Sequence, residues 1–549
     1  MKNHQLKKGL IFGVVILLVS SVILPSINGE IGEIHKSSNY FLNSLEDSMV
    51  DKGILDGYYI YNITKALSNI IFTEYNESAG ELAKGRAFGT KGEWAAAKIL
   101  FDNMTALGLN TTMERIVNTE AFPKLTHKLE ILDYGLKINN EVIHDFHITP
   151  SGIGPRDNPE QLDYNFTYDG LKVKPMPEIL LPQIRNRFLN GEKEDYVFIH
   201  ECGFRNPNWT PPLIDQILDN FLFPFSALPW ILRTVRSNFK KSFLYKWYPK
   251  CRAVIIYDFN DNCHDLFPSG RNLPMILING TLGKKIMNNI KETTVDFYIN
   301  QSYNDSVESY NVIGQLDGTD PSKTVIVDCL YDSWWCQGTA DAAIGMAMVL
   351  GVAKYFVDND IRPKYNLKFI GFGGEEYGMR GAISYEYIHK TENVIYVIDL
   401  NQICFTQEEP RLTLNIICNK LGFLNKIWKV VKRTNYVERT GDVTDIKPWW
   451  MLKGAPSDDE VFAMFRPFRC RTVSVLKGPP WLLHHRDGLN HTEGDVLKYF
   501  NWTDLNVTGE IVWNITEYLT VDLPGDYTSY YTDDSAINVV DFMKEKSRF

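Results

Sequence analysis

The stretch Thr324-Val325-Ile326-Val327-Asp328-Cys329-Leu330-Tyr331-Asp332-Ser333 decides how the chain folds. Its residues are apolar at successive positions instead of alternating, the pattern of a strand buried on both faces, and it ends in polar groups. Past that end, Gly338-Thr339-Ala340-Asp341 leads into an apolar helix from Ala342 to Phe356. The pattern then recurs. A strand from Leu367 to Phe372 runs into Gly373-Gly374-Glu375-Glu376-Tyr377-Gly378, and one from Val394 to Ile398 runs into Asp399-Leu400-Asn401. Alternating strands and helices of this kind build a mostly parallel sheet with helices on both faces. In such sheets the functional crevice lies beyond the carboxyl ends of the strands, and three of these ends carry acids. The economical expectation is that they converge on one site.

Outward from this segment the composition changes. From about Asn39 to Ile116 the pattern is helical, strongest over Glu93 to Phe101 and closed by Leu107-Gly108-Leu109. From about Phe122 to Tyr310 the chain is rich in Pro, Asn and short apolar runs. Ala253 to Asp258 and Leu273 to Asn279 read there as strands bounded by turn formers. The expected organisation is a leader over 1–29, the first part of an α/β domain over 30–121, a β-rich insertion over 122–310, the chemistry-bearing part over 311–525 and a tail over 526–549.

The chain has 549 residues, 44% hydrophobic, with Lys+Arg 57 against Asp+Glu 67. A net charge of -10 gives no basic footprint for nucleic acid, which is set aside as a partner. Lys2, Lys7 and Lys8 precede an uncharged apolar run from Leu10 to Leu24, read as a cleaved signal peptide or a short anchor. Either way the bulk of the chain is expected outside the cell, secreted or held at the surface, with membrane contact only through that segment. Sequons at Asn62, Asn76, Asn103, Asn110, Asn165, Asn208, Asn279, Asn300, Asn304, Asn501, Asn506 and Asn514 agree with export as glycosylation candidates. A further sequon falls on Asn490-His491-Thr492. The eight cysteines are an even set compatible with disulfides, with no pairing legible.

Each polar motif also has a plain reading. Asp341 suits a helix cap, Glu375-Glu376 an acidic turn, His484-His485 a surface pair and His491-Thr492-Glu493-Gly494-Asp495 a polar loop. Trp334 and Trp335 suit packing around a site. Against these stands the position of two adjacent acids between glycines after a buried strand. One can ligate a metal while the other faces a water, as metal-assisted hydrolysis requires.

Taken in order, these motifs resemble the exported zinc aminopeptidases of peptidase family M28, which also includes the glutamate carboxypeptidases. The resemblance covers Gly89-Thr90-Lys91-Gly92-Glu93, a middle region similar to a protease-associated insertion, and the segment from Asn311. It implies a zinc-dependent peptidase acting on peptides. Asp341 is then the bridging ligand, Glu375 the general base, Glu376 and His491 ligands, and Asp332 an orienting group behind the metal. Ser457-Asp458-Asp459 resembles the family's turn before its last strand.

Two positions depart from the pattern. Leu330 stands where the first histidine is expected and Asn401 where the later aspartate is expected. In the family these two ligands serve the same metal. A site reduced to Asp341 and one amide loses most of the roughly 10 to 16 kcal/mol a full ligand set supplies. One Zn2+ is therefore expected, two remaining the family's alternative, with Asp399, Cys329 or Cys336 as substitute ligands at the depleted site and His485 as the alternative to His491. The single-metal set also resembles glutaminyl-peptide cyclotransferases, although Gly378-Met379-Arg380-Gly381-Ala382 looks like the peptidase form. A non-catalytic binding or scaffold relative is the remaining alternative.

Overall fold

The computed structural model describes residues 53–70, 85–149, 165–175, 194–202, 250–258, 274–334, 336–405, 413–440, 445–455, 457–478, 491–492 and 494–521. The apolar run over 10–24, Asn76, Asn208, Trp335, His484, His485, Asn490 and residues 526–549 lie outside the described residues.

Two eight-stranded sheets organise the described chain. The first is built from β1 (Asn110–Arg115), β10 (Tyr310–Leu316), β11 (Asp320–Leu330), β12 (Tyr365–Phe372), β13 (Val394–Asn401), β14 (Thr413–Cys418), β15 (Asp445–Trp450) and β16 (Arg471–Gly478). Its spatial order is β1-β10-β12-β11-β13-β16-β14-β15. Strands β12, β11, β13 and β16 are parallel neighbours, while β1 and β10 close one side in antiparallel pairing. This is the mixed, mostly parallel sheet that the successive apolar runs predict. Val325, Ile326 and Val327 are each fully buried, as a strand covered on both faces requires.

The helices that cover it are α1 (Gly57–Ser68), α2 (Lys91–Ala106), α4 (Ile344–Asp358), α5 (Arg380–Ile388), α6 (Leu421–Val431), α7 (Asp459–Phe465) and α8 (Trp502–Thr520); α3 (Gly280–Asn288) belongs to the second sheet's region. Helix α4 is apolar all round, and every residue from Ile344 to Ala353 is buried. The segment Thr339–Asp358 is long and apolar enough to cross a membrane, but 83% of its window is buried inside the fold, so it is the core helix. It lies close against α1: a Cβ at Gly351 would stand 2.7 Å from the Ile60 side chain. Glycine is required there by space.

The predicted helix start needs correction. Asp341 does not cap α4; it sits in an irregular turn, Thr339–Ala343, with extended φ -117 and ψ 87, and its peptide bond to Ala342 is cis. The helical stretch expected up to Ile116 ends at Ala106, and Asn110–Arg115 is an edge strand.

The second sheet comprises β2 (Lys128–Ile138), β3 (Glu141–Ile143), β4 (Phe146–Thr149), β5 (Asn165–Pro175), β6 (Tyr196–Cys202), β7 (Cys251–Asp258), β8 (Met275–Ile278) and β9 (Thr294–Asn304). Its order is β3-β2-β9-β5-β6-β7-β8-β4. The chain leaves the first sheet after β1 and returns at β10 by adjacent connections, with the Val307 N–H donating to the Thr126 carbonyl at 2.9 Å. One face has its own core, including Ile131, Phe146, Val197, Ile255 and Phe297. The other places Phe198, Val254, Ile256 and Leu277 against Trp334 and Cys336 of the first sheet's crevice. Cys251, Cys329, Cys336, Cys404, Cys418 and Cys470 are free and buried, so none of these six forms a disulfide, although the even cysteine count is compatible with them.

A buried ion pair ties α8 to the sheet. Lys477 is 1% exposed. Its Nζ donates to Asp504 Oδ2 at 2.6 Å and to the Phe405 carbonyl at 2.6 Å, while Tyr436 and Thr508 donate to Asp504 Oδ1. Removing one partner strands a charge in the interior. Lys477→Met is expected to cost about 3–5 kcal/mol in urea unfolding. A loss below about 1 kcal/mol would show that the pair carries no such weight.

Candidate metal centre

The crevice forms where β11, β12 and β13 end. Asp341 follows β11 through the 331–338 loop, Glu376 follows β12, and His491 arrives from the segment before α8. Asp341, Glu376 and His491 offer ligand atoms that all lie within 4.8 Å of one another, the one such group among the described residues. His491 Nε2 stands 3.2 Å from Asp341 Oδ2 and 3.0 Å from Glu376 Oε2. The edge of a tetrahedron with metal–ligand distances near 2.0–2.1 Å is about 3.3 Å, so these three atoms fit one zinc ion with little movement. All three side chains are at most 15% exposed.

The local backbone explains the convergence. At the β12 exit Gly374 has φ +67, and a Cβ there would stand 2.6 Å from the Phe88 ring. Glycine alone permits the turn that presents Glu375 and Glu376. Asp332, fully buried, accepts from the N–H of Glu375 at 3.0 Å and of Glu376 at 3.3 Å. It therefore fixes the backbone of the Glu-Glu turn. Asp495 plays the same part for the bridging candidate, accepting from Ala340 N–H at 2.7 Å and Asp341 N–H at 3.1 Å. Trp334 lies against the His491 ring, with centroids 6.3 Å apart and planes at 30°.

Charge in this space is unbalanced towards acid. Burial pushes the Glu375 carboxyl well above the usual carboxylate range, with Glu376, Asp458, Asp332 and Asp341 adding to it. Burial likewise raises Glu376 and Asp332. At His491 burial opposes the charged form, but the Glu376 and Asp341 carboxylates outweigh it and the ring holds its proton well above the ordinary range. An imidazolium between two carboxylates occupies the place a divalent cation would take. Cation binding here releases that proton.

The structure separates the remaining candidates from this group. Leu330 is fully buried and apolar. Asn401 donates from Nδ2 to Ser457 Oγ at 3.3 Å. Asp399, weighed as a substitute ligand, stands two residues earlier on β13, paired in register with Asp328. Its oxygens accept from Ser457 Oγ at 3.1 Å and Ser474 Oγ at 2.6 Å, so it is satisfied inside the sheet. Cys329 and Cys336 are also outside the group, their thiols raised well above the usual range by burial. His485 lies outside the described residues. Asn279 and Asn501, named as glycosylation candidates, cap α3 and α8 through their side-chain oxygens.

Two groups escaped the sequence reading. Arg86 is fully buried and donates to the carbonyls of Tyr331 at 2.7 Å, Leu67 at 3.2 Å, Gln337 at 2.5 Å and Gly338 at 3.0 Å. It locks the loop that carries Asp332 and leads to Asp341. Nothing in its sequence neighbourhood marks it. Asp495 was visible within His491-Thr492-Glu493-Gly494-Asp495, but its partners, more than 150 residues away, were not.

Residues 311–516 match peptidase family M28. The matched segment contains β11 to β16, nearly all of β10 and the three convergent side chains. Among curated proteins the chain is similar to carboxypeptidase Q of Bos taurus, 22% identical over 227 residues, covering 41% of this chain and 43% of that protein. Carboxypeptidase Q of Homo sapiens matches at 22% over 220 residues, 39% of this chain and 42% of that one. The matches thus span less than half the length of these relatives. Among solved structures, a zinc aminopeptidase from Bacillus subtilis aligns with TM-score 0.57 and 16% identity over 85% of this chain and 95% of that one. A peptidase M28 precursor from Shewanella amazonensis aligns with TM-score 0.57 and 14% identity over 86% and 95%. At such identities these structures show the mixed α/β fold alone.

Behind this group of side chains, Glu93 of α2 accepts from Ser309 Oγ and Gly89 N–H, both at 2.7 Å. Burial raises it from 4.5 to about 7, the two hydrogen bonds offsetting only part. A carboxyl whose folded pKa is raised stabilises fully below its unfolded pKa, and that contribution is lost as pH rises through the folded value. In chelator, stability is therefore expected to fall from pH 4.5 to 7, with roughly 3 kcal/mol of the fall due to Glu93. Glu93→Gln should flatten the profile; an unchanged slope in urea titrations at pH 5 and 7.5 refutes the assignment.

Proposed function

We propose that the chain is a zinc metallopeptidase of the aminopeptidase-type exopeptidase class, working with one metal ion and acting outside the cell or at its surface. The observation that carries this reading is the Asp341, Glu376 and His491 group with Glu375 beside it, at the exit of strands in a fold shared with a zinc aminopeptidase. Three N/O ligands with a remaining position open is the arrangement of a catalytic zinc. Leu330 and Asn401 support a single ion, because Leu330 has no ligating atom and Asn401 offers only a neutral amide oxygen.

Asp341, Glu376 and His491 would hold a zinc ion, which would supply an activated water and a Lewis acid for the scissile carbonyl. Glu375 accepts the proton from the attacking water and returns it to the leaving amine. Asp332 keeps the Glu-Glu turn fixed during this cycle, and Asp495 holds the Asp341 backbone. Trp334 and the second sheet's apolar face close one side of the crevice and keep bulk water out.

The single-metal set also favours a second reading, transfer without hydrolysis as in glutaminyl-peptide cyclotransferases. Metal analysis of the purified chain is expected to give one zinc, and two equivalents would overturn the single-ion reading. Aminoacyl amides and short peptides are expected to be hydrolysed. Cyclisation of an N-terminal glutamine peptide without hydrolysis would replace peptidase with cyclotransferase, and zinc binding with neither activity would leave a binding protein.

A further inference from the structure

At the opposite edge of the first sheet, the strands that deliver the metal-centre residues begin at a cavity of about 620 Å³, within the size range of small-molecule sites. Tyr365 opens β12, and Phe372 closes it seven residues later, so cavity and crevice are about 20 Å apart. Lys364, Lys420, Lys426 and Arg471 line the cavity, and no acidic residue is among the described lining residues. In a chain of net charge -10 this is a local inversion of sign. Four cations around one concave space repel one another, a cost that an anion relieves.

Two further features agree on the ligand's chemistry. Helix α6 begins at this cavity: Lys420 is its N-cap, Gly422 lines the space, no side chain caps the end and no acid lies in its first turn. The first N–H groups of a helix have no intrahelical acceptors and favour negative charge. One wall is a flat aromatic stack, with Tyr396 on Phe423 at 5.6 Å and 17° and the Arg471 guanidinium 5.9 Å from the Tyr396 ring. Phe468, 95% exposed, stands at the rim with Lys420 Nζ 5.9 Å from its ring.

We propose that this cavity binds a small organic anion that carries an aromatic ring. The anionic group sits against Lys420, Lys426, Arg471 and the start of α6, and the ring lies between the Tyr396–Phe423 wall and Phe468. The site is independent of the peptidase reading and of zinc.

Calorimetric titration of the full chain with phenyl phosphate and with inorganic phosphate, at low salt, tests this. Phenyl phosphate is expected to bind about tenfold more tightly than inorganic phosphate. Lys426→Gln, an exposed change on a helix surface, should weaken both several-fold, and Phe468→Ala should narrow the gap between them. Peptide hydrolysis should be unchanged in both variants. Equal affinities for the two probes, or binding indifferent to Lys426→Gln, as for an anion held at the metal centre, overturns the proposal.

Discussion

Glu375→Gln is expected to lower kcat by about 10²- to 10⁴-fold, the usual contribution of a positioned general base, with zinc content unchanged. Glutamine keeps the size of the side chain and leaves the backbone N–H of Glu375 on Asp332 intact, so the turn is preserved. It cannot accept a proton. Glu375 is not part of the convergent ligand group, and its loss should not release metal. In the metal-free chain burial and neighbouring carboxylates raise its pKa. A bound divalent cation opposes those carboxylates and brings the base towards the working range. The measurement is steady-state hydrolysis of an aminoacyl amide together with zinc per chain. Turnover within a few-fold of the parent would remove Glu375 from the mechanism, and loss of zinc would make it a ligand.

His491→Ala should abolish tight zinc binding, a larger effect than the 10- to 100-fold expected on losing an orienting group such as Asp495. Without the imidazole, Asp341 and Glu376 remain as two buried carboxylates with no cation between them. The readout is thermal stability with and without zinc. A ligand at a thousand times its Kd stabilises the folded state by about 4 kcal/mol, and that increment should vanish in the variant. Retained zinc-dependent stabilisation would transfer the ligand role to another residue, His485 being the first to test. Glycopeptide mapping at Asn490 belongs beside it, because a sugar next to His491 would obstruct substrate.

Much of the fold was legible because strand burial leaves a one-dimensional trace. Val325, Ile326 and Val327 are apolar in succession since both faces of β11 are covered, and Phe369 and Ile370 on β12 are buried in the same way. The Glu-Glu turn was legible because glycine is demanded at Gly374. The start of α4 was misjudged because capping is a local inference, and the turn at Asp341 is set instead by Asp495 from the far end of the chain. Asp399 looked like a spare ligand because sequence does not reveal that Ser457 and Ser474 already satisfy it. Arg86 was silent for the same reason: its partners are backbone carbonyls, which carry no sequence signal.

The sequence by itself determined the parallel-sheet architecture, the acids at strand exits, and the replacement of two expected ligands by Leu330 and Asn401. These follow from residue type and period, which are local properties. Only the tertiary structure decided that Asp341, Glu376 and His491 come within 4.8 Å of one another while Asp399 does not join them. The physical reason is that a metal centre depends on ångström-scale convergence of side chains from distant segments. That convergence is supported by buried hydrogen bonds that Asp332 and Asp495 accept and Arg86 donates, with partners elsewhere in the chain.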